Sequence, residues 1–160
     1  MDLDRHSRLG TDGTLVFRRS DFDDGVPHDI PDDLRERLSA VRLIRQVEEL
    51  VAGNTALQTA PAEVKAMAAV LIWCLATGRF GSWDMEALCE EEPLCRHLAG
   101  SFALTHQGFH QVRRHQEPLV ASLLAEIIRT AVPKTKPDVV AADVQRRLER
   151  ARAADREVLF

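Results

Sequence analysis

No run of eighteen or more apolar residues occurs in this 160-residue chain, which excludes a membrane-spanning helix. The opening stretch, MDLDRHSRLGTDG, is acidic and polar and lacks the apolar segment of a signal peptide. Cysteine is scarce. Cys74, Cys89 and Cys95 cannot all pair within one chain, and without an export signal the expected state is reduced thiols in a cytosol. Tyrosine is absent and aromatics amount to 5%, so the 45% hydrophobic content that builds a core is mostly aliphatic. There is no internal repeat and no low-complexity tract, which excludes a solenoid. A surplus of positive charge is lacking as well. The net charge is −4, which argues against a simple nucleic-acid binder.

The distribution of that charge says more than its total. Residues 1–33 carry nine Asp against four Arg, and residues 82–92 carry five acids and no base. Residues 93–136 carry six bases against two acids, together with four of the six histidines. A phosphate backbone responds to local sign within a Debye length, so positive charge gathers in one place suited to it.

A chain of this length is one domain, or one domain with a tail. Ala, Leu, Val, Arg and Glu dominate and favour helices. Residues 1–33 read as a loose acidic arm whose low hydrophobicity cannot offset ordering. Leu15, Val16 and Phe17 within it suit a strand, but a lone strand has nothing to pair with. Residues 34–52 read as a helix on the recurrence of Leu38, Val41, Leu43, Ile44, Val47, Leu50 and Val51, stopped by Gly53 and Asn54. Residues 62–76 are the most apolar stretch, with Val64, Met67, Ala68, Val70, Leu71, Ile72, Trp73 and Leu75, and predict the buried central helix, ended by Gly78. Ser82 is the expected N-cap of a helix over 83–91, and Pro93 opens a short helix over 94–98 that Gly100 closes. Thr105 caps a helix over 106–115, and Pro118 starts another over 119–131. Residues 34–132 therefore form the helical domain. Residues 133–160 hold a lysine-bearing linker and a charged helix over 138–157. Its stripe of Val140, Val144, Leu148 and Ala151 is narrow, so it either docks on the bundle or joins a homodimer. Trp73 is expected in the core, and Trp83 at a corner between two helices.

The segment from 82 to 115 carries most of the functional signal. Three short helices in a row, the last beginning at a Thr cap and rich in His, Gln and Arg, suit a helix-turn-helix presenting a recognition helix. Phe109 and Val112 face the core in this reading. Thr105, His106, Gln107, His110, Gln111, Arg113, Arg114 and His115 are the candidate DNA contacts, with Arg96 completing a positive patch. Gln reads adenine and Arg reads guanine by paired hydrogen bonds, or either holds phosphate. The bland alternative is a solvated polar helix.

Two other chemistries compete for the same residues. Cys89, Cys95, His106 and His110 are four potential zinc ligands, but the six-residue cysteine spacing lies outside a close knuckle and Cys89 falls at an apolar position. No metal and no cofactor are therefore expected. Asp84, Glu86, Glu90, Glu91 and Glu92 are dense, yet a charge run is usually a solvated face, and a metal-dependent nuclease needs carboxylates from separate elements. Cys95 and His97 are two apart and diverge on a helix. No enzyme activity is expected.

Four stretches, in order and spacing, give a resemblance. DGVPHDIPDDLRERL is an acidic, Pro-containing lead before a first helix, and VLIWCLATGRFGSWDMEAL a long apolar helix ending in Gly and then Ser. EEEPLCRHLAG is a short helix ending Leu-Ala-Gly, and THQGFHQVRRHQEPLVASLL a Thr-capped helix with a Phe and paired Arg. Over residues 25–128 the chain resembles the N-terminal helical domain of insertion-sequence transposases of the DDE class. It departs in carrying Ala103 and Leu104 where a Pro-Asp pair often precedes the cap, and in separating Phe109 from Arg113 and Arg114. It also has no strand-rich region with spaced Asp, Asp and Glu. The resemblance implies an all-α multihelix bundle with a helix-turn-helix-like core. It implies binding of double-stranded DNA without strand transfer, by a truncated or domesticated relative in a regulatory or accessory role, associated with the nucleoid. The alternative is a helical module that binds a protein partner.

Overall fold

The computed structural model describes residues 7–9, 15–17, 30 and 33–157. Seven helices among them form an all-α bundle: α1 (Ala40–Gly53), α2 (Ala62–Ala76), α3 (Ser82–Glu91), α4 (Pro93–Ala99), α5 (His106–His115), α6 (Glu117–Ala131) and α7 (Pro137–Glu157). Two short strands, β1 (Ser7–Leu9) and β2 (Leu15–Phe17), pair antiparallel with Ser7 opposite Phe17 and Leu9 opposite Leu15. The Leu15, Val16 and Phe17 run thus has a partner that the sequence pattern did not reveal. The expectation that the rest of the arm is loose falls outside the described residues. Ile30, however, is buried in the core, so packing begins before Leu34.

The helix expected over 34–52 is two elements. Leu34–Glu36 forms a 3-10 turn capped by Asp33, whose side chain accepts from the Arg35 N–H at 2.9 Å. Ser39 then caps α1 by accepting from the Arg42 N–H at 3.2 Å. A serine that bonds the backbone ahead of it starts a helix rather than continuing one. Leu43, Ile44, Val47 and Val51 are buried, whereas Val41 stands two residues off this stripe and is exposed.

Helix α2 is the central element, touching all six other helices. Every residue from Met67 to Ala76 is buried, as an apolar helix without a polar face requires. It ends where Gly78 takes a positive φ of 83° and the Arg79 N–H returns to the Cys74 carbonyl at 2.8 Å. On its flank α5 approaches closely. Gly108 faces the flexible end of Met67, which a Cβ at that position would displace.

Helix α7 docks on the bundle. Val140, Val144, Leu148 and Ala151 are all buried within this one chain, against α6, α3 and α2. The stripe proposed as a homodimer seam is therefore packed internally. Arg147 is wholly buried beside it, paired with Asp143 at 2.8 Å. Its Nη1 donates to the Leu75 carbonyl at 2.9 Å and the Ala76 carbonyl at 3.2 Å. Those are carbonyls of the last turn of α2, which lack partners within their own helix and carry its negative dipole end. Arg146 also pairs with Asp143.

Replacing Arg147 by Met strips the α2 carbonyls of their donor and unbalances buried Asp143. It is expected to cost about 3 kcal/mol or more in urea unfolding. The double change Arg147→Met with Asp143→Leu should recover part of that loss. A single variant as stable as the parent would show that the buried pair does not hold α7.

Candidate nucleic-acid interface

Helix α5 begins at Thr105, whose hydroxyl accepts from the Gly108 N–H at 3.2 Å, as the Thr cap predicts. Its ten residues divide into two faces. His106, Phe109, His110 and Arg113 recur at three- and four-residue steps and turn inward. Gln107, Gln111, Arg114 and His115 turn outward and are exposed, as is Thr105 at the cap.

This division corrects the expectation for three residues. Arg113 is not on an outer face. It stands four residues after Phe109, so it shares that residue's side of the helix, and only 6% of it is exposed. Its guanidinium meets Asp155 at 3.1 Å and Glu117 at 3.4 Å. His110, one turn earlier, lies 3.2 Å from the same Asp155 carboxylate. His106 is half-buried: its ring stacks on Trp83 with centroids 3.4 Å apart, and its Nδ1 is 3.2 Å from Glu86. Glu86 also accepts from the His106 N–H at 3.1 Å, placing negative charge at the N-terminus of α5. Trp83 thus joins α3 to α5, in keeping with a corner residue. Arg96 is exposed on α4, a helix that packs on α2 and α3.

Asp155 is the residue that organises this region. Only 2% of its side chain is exposed. One oxygen accepts from the Ser82 N–H at 3.0 Å and the other from the Ser82 hydroxyl at 3.0 Å. Ser82 is the first residue of α3 rather than its N-cap, which is Gly81. The cap is supplied from α7, by a carboxylate that satisfies an orphan donor and answers the positive end of α3. Arg113 then balances the buried charge.

An open cleft of about 340 Å3 lies where α5 ends and α7 passes. His110, Arg113 and Asp155 line it, with Arg114, Glu117, Arg152 and Arg156. Arg152 pairs with Glu117. The Arg152 guanidinium, with Arg113 beside it, holds Glu117 below the usual carboxylate range. Arg114 and Arg156 are exposed and form no ion pair among the described residues.

The cysteines do not join the histidines. Cys74 and Cys95 are buried in contact, and burial pushes the Cys89 thiol up to about 12. Among the described residues no three His, Cys, Asp or Glu side chains are placed to hold a metal. Among them, too, no helix is long and apolar enough to cross a membrane.

No family model, curated protein or solved structure matches this chain.

Glu117, Arg152, Asp155 and Arg156 were not among the residues the sequence singled out, and Glu86 read only as part of a solvated acidic run. One signal was present. Asp155 continues the register of Val144, Leu148 and Ala151, so a carboxylate sits where the stripe calls for an apolar side chain. Glu117 stands four residues after Arg113, a legible spacing, but its pairing with Arg152, like that of Glu86 with His106, is made across helices distant in sequence.

Two outcomes follow for adjacent arginines. Arg113→Glu places a carboxylate against buried Asp155 and should cost about 3–5 kcal/mol in chemical denaturation. Arg114→Glu should stay within about 0.5 kcal/mol of the parent. Equal effects would refute the two-faced helix. A third outcome concerns acid. A carboxyl held low in the folded state adds stability that is present above its unfolded pKa of about 4.3 and is lost as pH falls through the folded value. The urea midpoint should decline below that pH, and Glu117→Gln should decline less steeply.

Proposed function

We propose that this chain is a non-enzymatic module that binds double-stranded DNA through the outer face of α5. The observation that carries the reading is the exposed stripe of Gln107, Gln111, Arg114 and His115. It runs along one side of a Thr-capped helix, with no carboxylate on it. Gln107 and Gln111, one turn apart, suit paired hydrogen bonds to adenine edges. Arg114 and the exposed Arg96 suit phosphate or guanine, and Thr105 suits phosphate at the helix start. His106, His110 and Arg113 serve in this reading as supports of the helix rather than as readers, since Glu86, Asp155 and Glu117 already engage them.

The resemblance to transposase N-terminal domains supports the same reading. It assigns the chain a regulatory or accessory role on DNA, in the bacterial cytoplasm and at the nucleoid, rather than strand transfer. Any two-fold assembly that spans paired half-sites would use a surface other than α7's apolar stripe.

A protein-interaction module is the competing reading. One observation favours it. Val41 is 58% exposed in an open groove of about 470 Å3 between α1 and α6, beside Arg42 and Arg45. Salt separates the two. Binding through several phosphates weakens steeply as salt rises, whereas apolar association does not.

In an electrophoretic shift over a potassium chloride series, the full chain is expected to retard duplex DNA with a steep loss of affinity at higher salt. Changing Gln107 and Gln111 together to Ala should reduce discrimination between duplex sequences by about 1–3 kcal/mol while leaving helicity intact. Absence of any shift at low salt would remove the reading.

A further inference from the structure

We infer that the cleft between the end of α5 and the last turns of α7 seats a backbone phosphate of duplex DNA, with Arg114 and Arg156 as its two ligands. The inference rests on the DNA-binding reading and extends the interface from α5 onto α7. Four arginines line the cleft against two carboxylates, Glu117 and Asp155. Both carboxylates are committed. Asp155 is held by Arg113 and by Ser82, and Glu117 by Arg113 and Arg152. These pairs make a fixed floor, and Arg113 within it is only 7% exposed at its side chain. The uncompensated charge is left at the rim, on Arg114 from α5 and Arg156 from α7. Both are exposed and neither is ion-paired among the described residues.

A concave surface with surplus positive charge concentrates potential and draws an anion to it. A planar guanidinium offers a donor fork that fits two phosphate oxygens, and its weak hydration lowers the cost of contact. The occupant is a phosphodiester of a duplex because Arg114 belongs to two surfaces at once. It belongs to the outward stripe begun by Gln107 and Gln111, and it lines the cleft. A duplex read by that stripe carries its sugar-phosphate backbone past the end of α5, where Arg114 and Arg156 stand. Helix α7 then has a second role besides packing.

The test is fluorescence anisotropy of the full chain with a labelled mixed-sequence duplex of about 30 base pairs, from about 50 to 200 mM potassium chloride. Arg156→Gln is expected to weaken binding by about three- to tenfold at the lowest salt. It should flatten the slope of log affinity against log salt by about 0.9, the value of one phosphate contact. Circular dichroism and melting should match the parent. Arg45→Gln, on the α1 groove, is the control and should bind as the parent does. If Arg156→Gln keeps the parent's affinity and slope while the parent binds, the phosphate seat is overturned and the α5 reading stands. If Arg45→Gln weakens binding equally, the effect is general charge and the seat is again overturned. If the parent itself shows no binding, both readings fall together.

Discussion

Two buried charges on α7, of opposite sign, hold the turn between α2 and α3. Arg147 donates to carbonyls at the end of α2, and Asp155 accepts from the first amide of α3. Each answers a helix end of the opposite polarity, and each satisfies backbone groups that the helix itself leaves unpaired. The two are eight residues apart, a little over two turns, so both lie on one side of α7. Between them Leu148 and Ala151 supply apolar contact. Apolar burial gives α7 its affinity for the bundle, but the charges fix its register. A slip by one turn would carry Arg147 away from α2 and Asp155 away from Ser82, leaving buried groups without partners.

That registration reaches the candidate interface through a single carboxylate. Asp155 binds Ser82, His110 and Arg113 at once, and so ties the start of α3, the middle of α5 and the end of α7 together. Arg113 then reaches Glu117 at the start of α6. The inner face of α5 is accordingly polar yet structural, with its histidines and one arginine spent on neighbours. Glu86 and Trp83 hold the start of the same helix from α3. A helix fixed from both sides presents its outer face in one orientation, which is what reading base edges demands.

The same partition reconciles the net negative charge of the chain with the DNA binding proposed for it. Glu117 and Asp155 act inward, neutralising Arg113 and Arg152, and Glu86 is engaged by the ring and backbone N–H of His106. Gln107, Gln111, Arg114 and Arg156 are left as the outward surface. What a duplex would meet is therefore more positive than the composition suggests, because a phosphate senses the charges within about a Debye length.

Much of the architecture was legible in the residues alone. The bounds of α2 and α5 follow from apolar periodicity, from Thr105 as a cap and from Gly78 as a stop, all of which act within a few residues. The break at Ser39 was also local, but the three- and four-residue recurrence of apolar residues from Leu38 onward hid it. The outward stripe of α5 was half legible. Gln107, Gln111 and Arg114 are where helical spacing puts them, whereas Arg113 looked like its neighbour Arg114 although its spacing from Phe109 turned it inward. Only tertiary structure could decide which charges are spent and which are free. Ser82 is capped by a residue 73 positions away, Arg147 caps a helix 72 positions away, and Glu117 meets Arg152 over 35. Periodicity reports which side of its own helix a residue occupies. It is silent on what stands opposite, because the partner of a buried charge is chosen by how helices pack and not by any feature of the chain nearby.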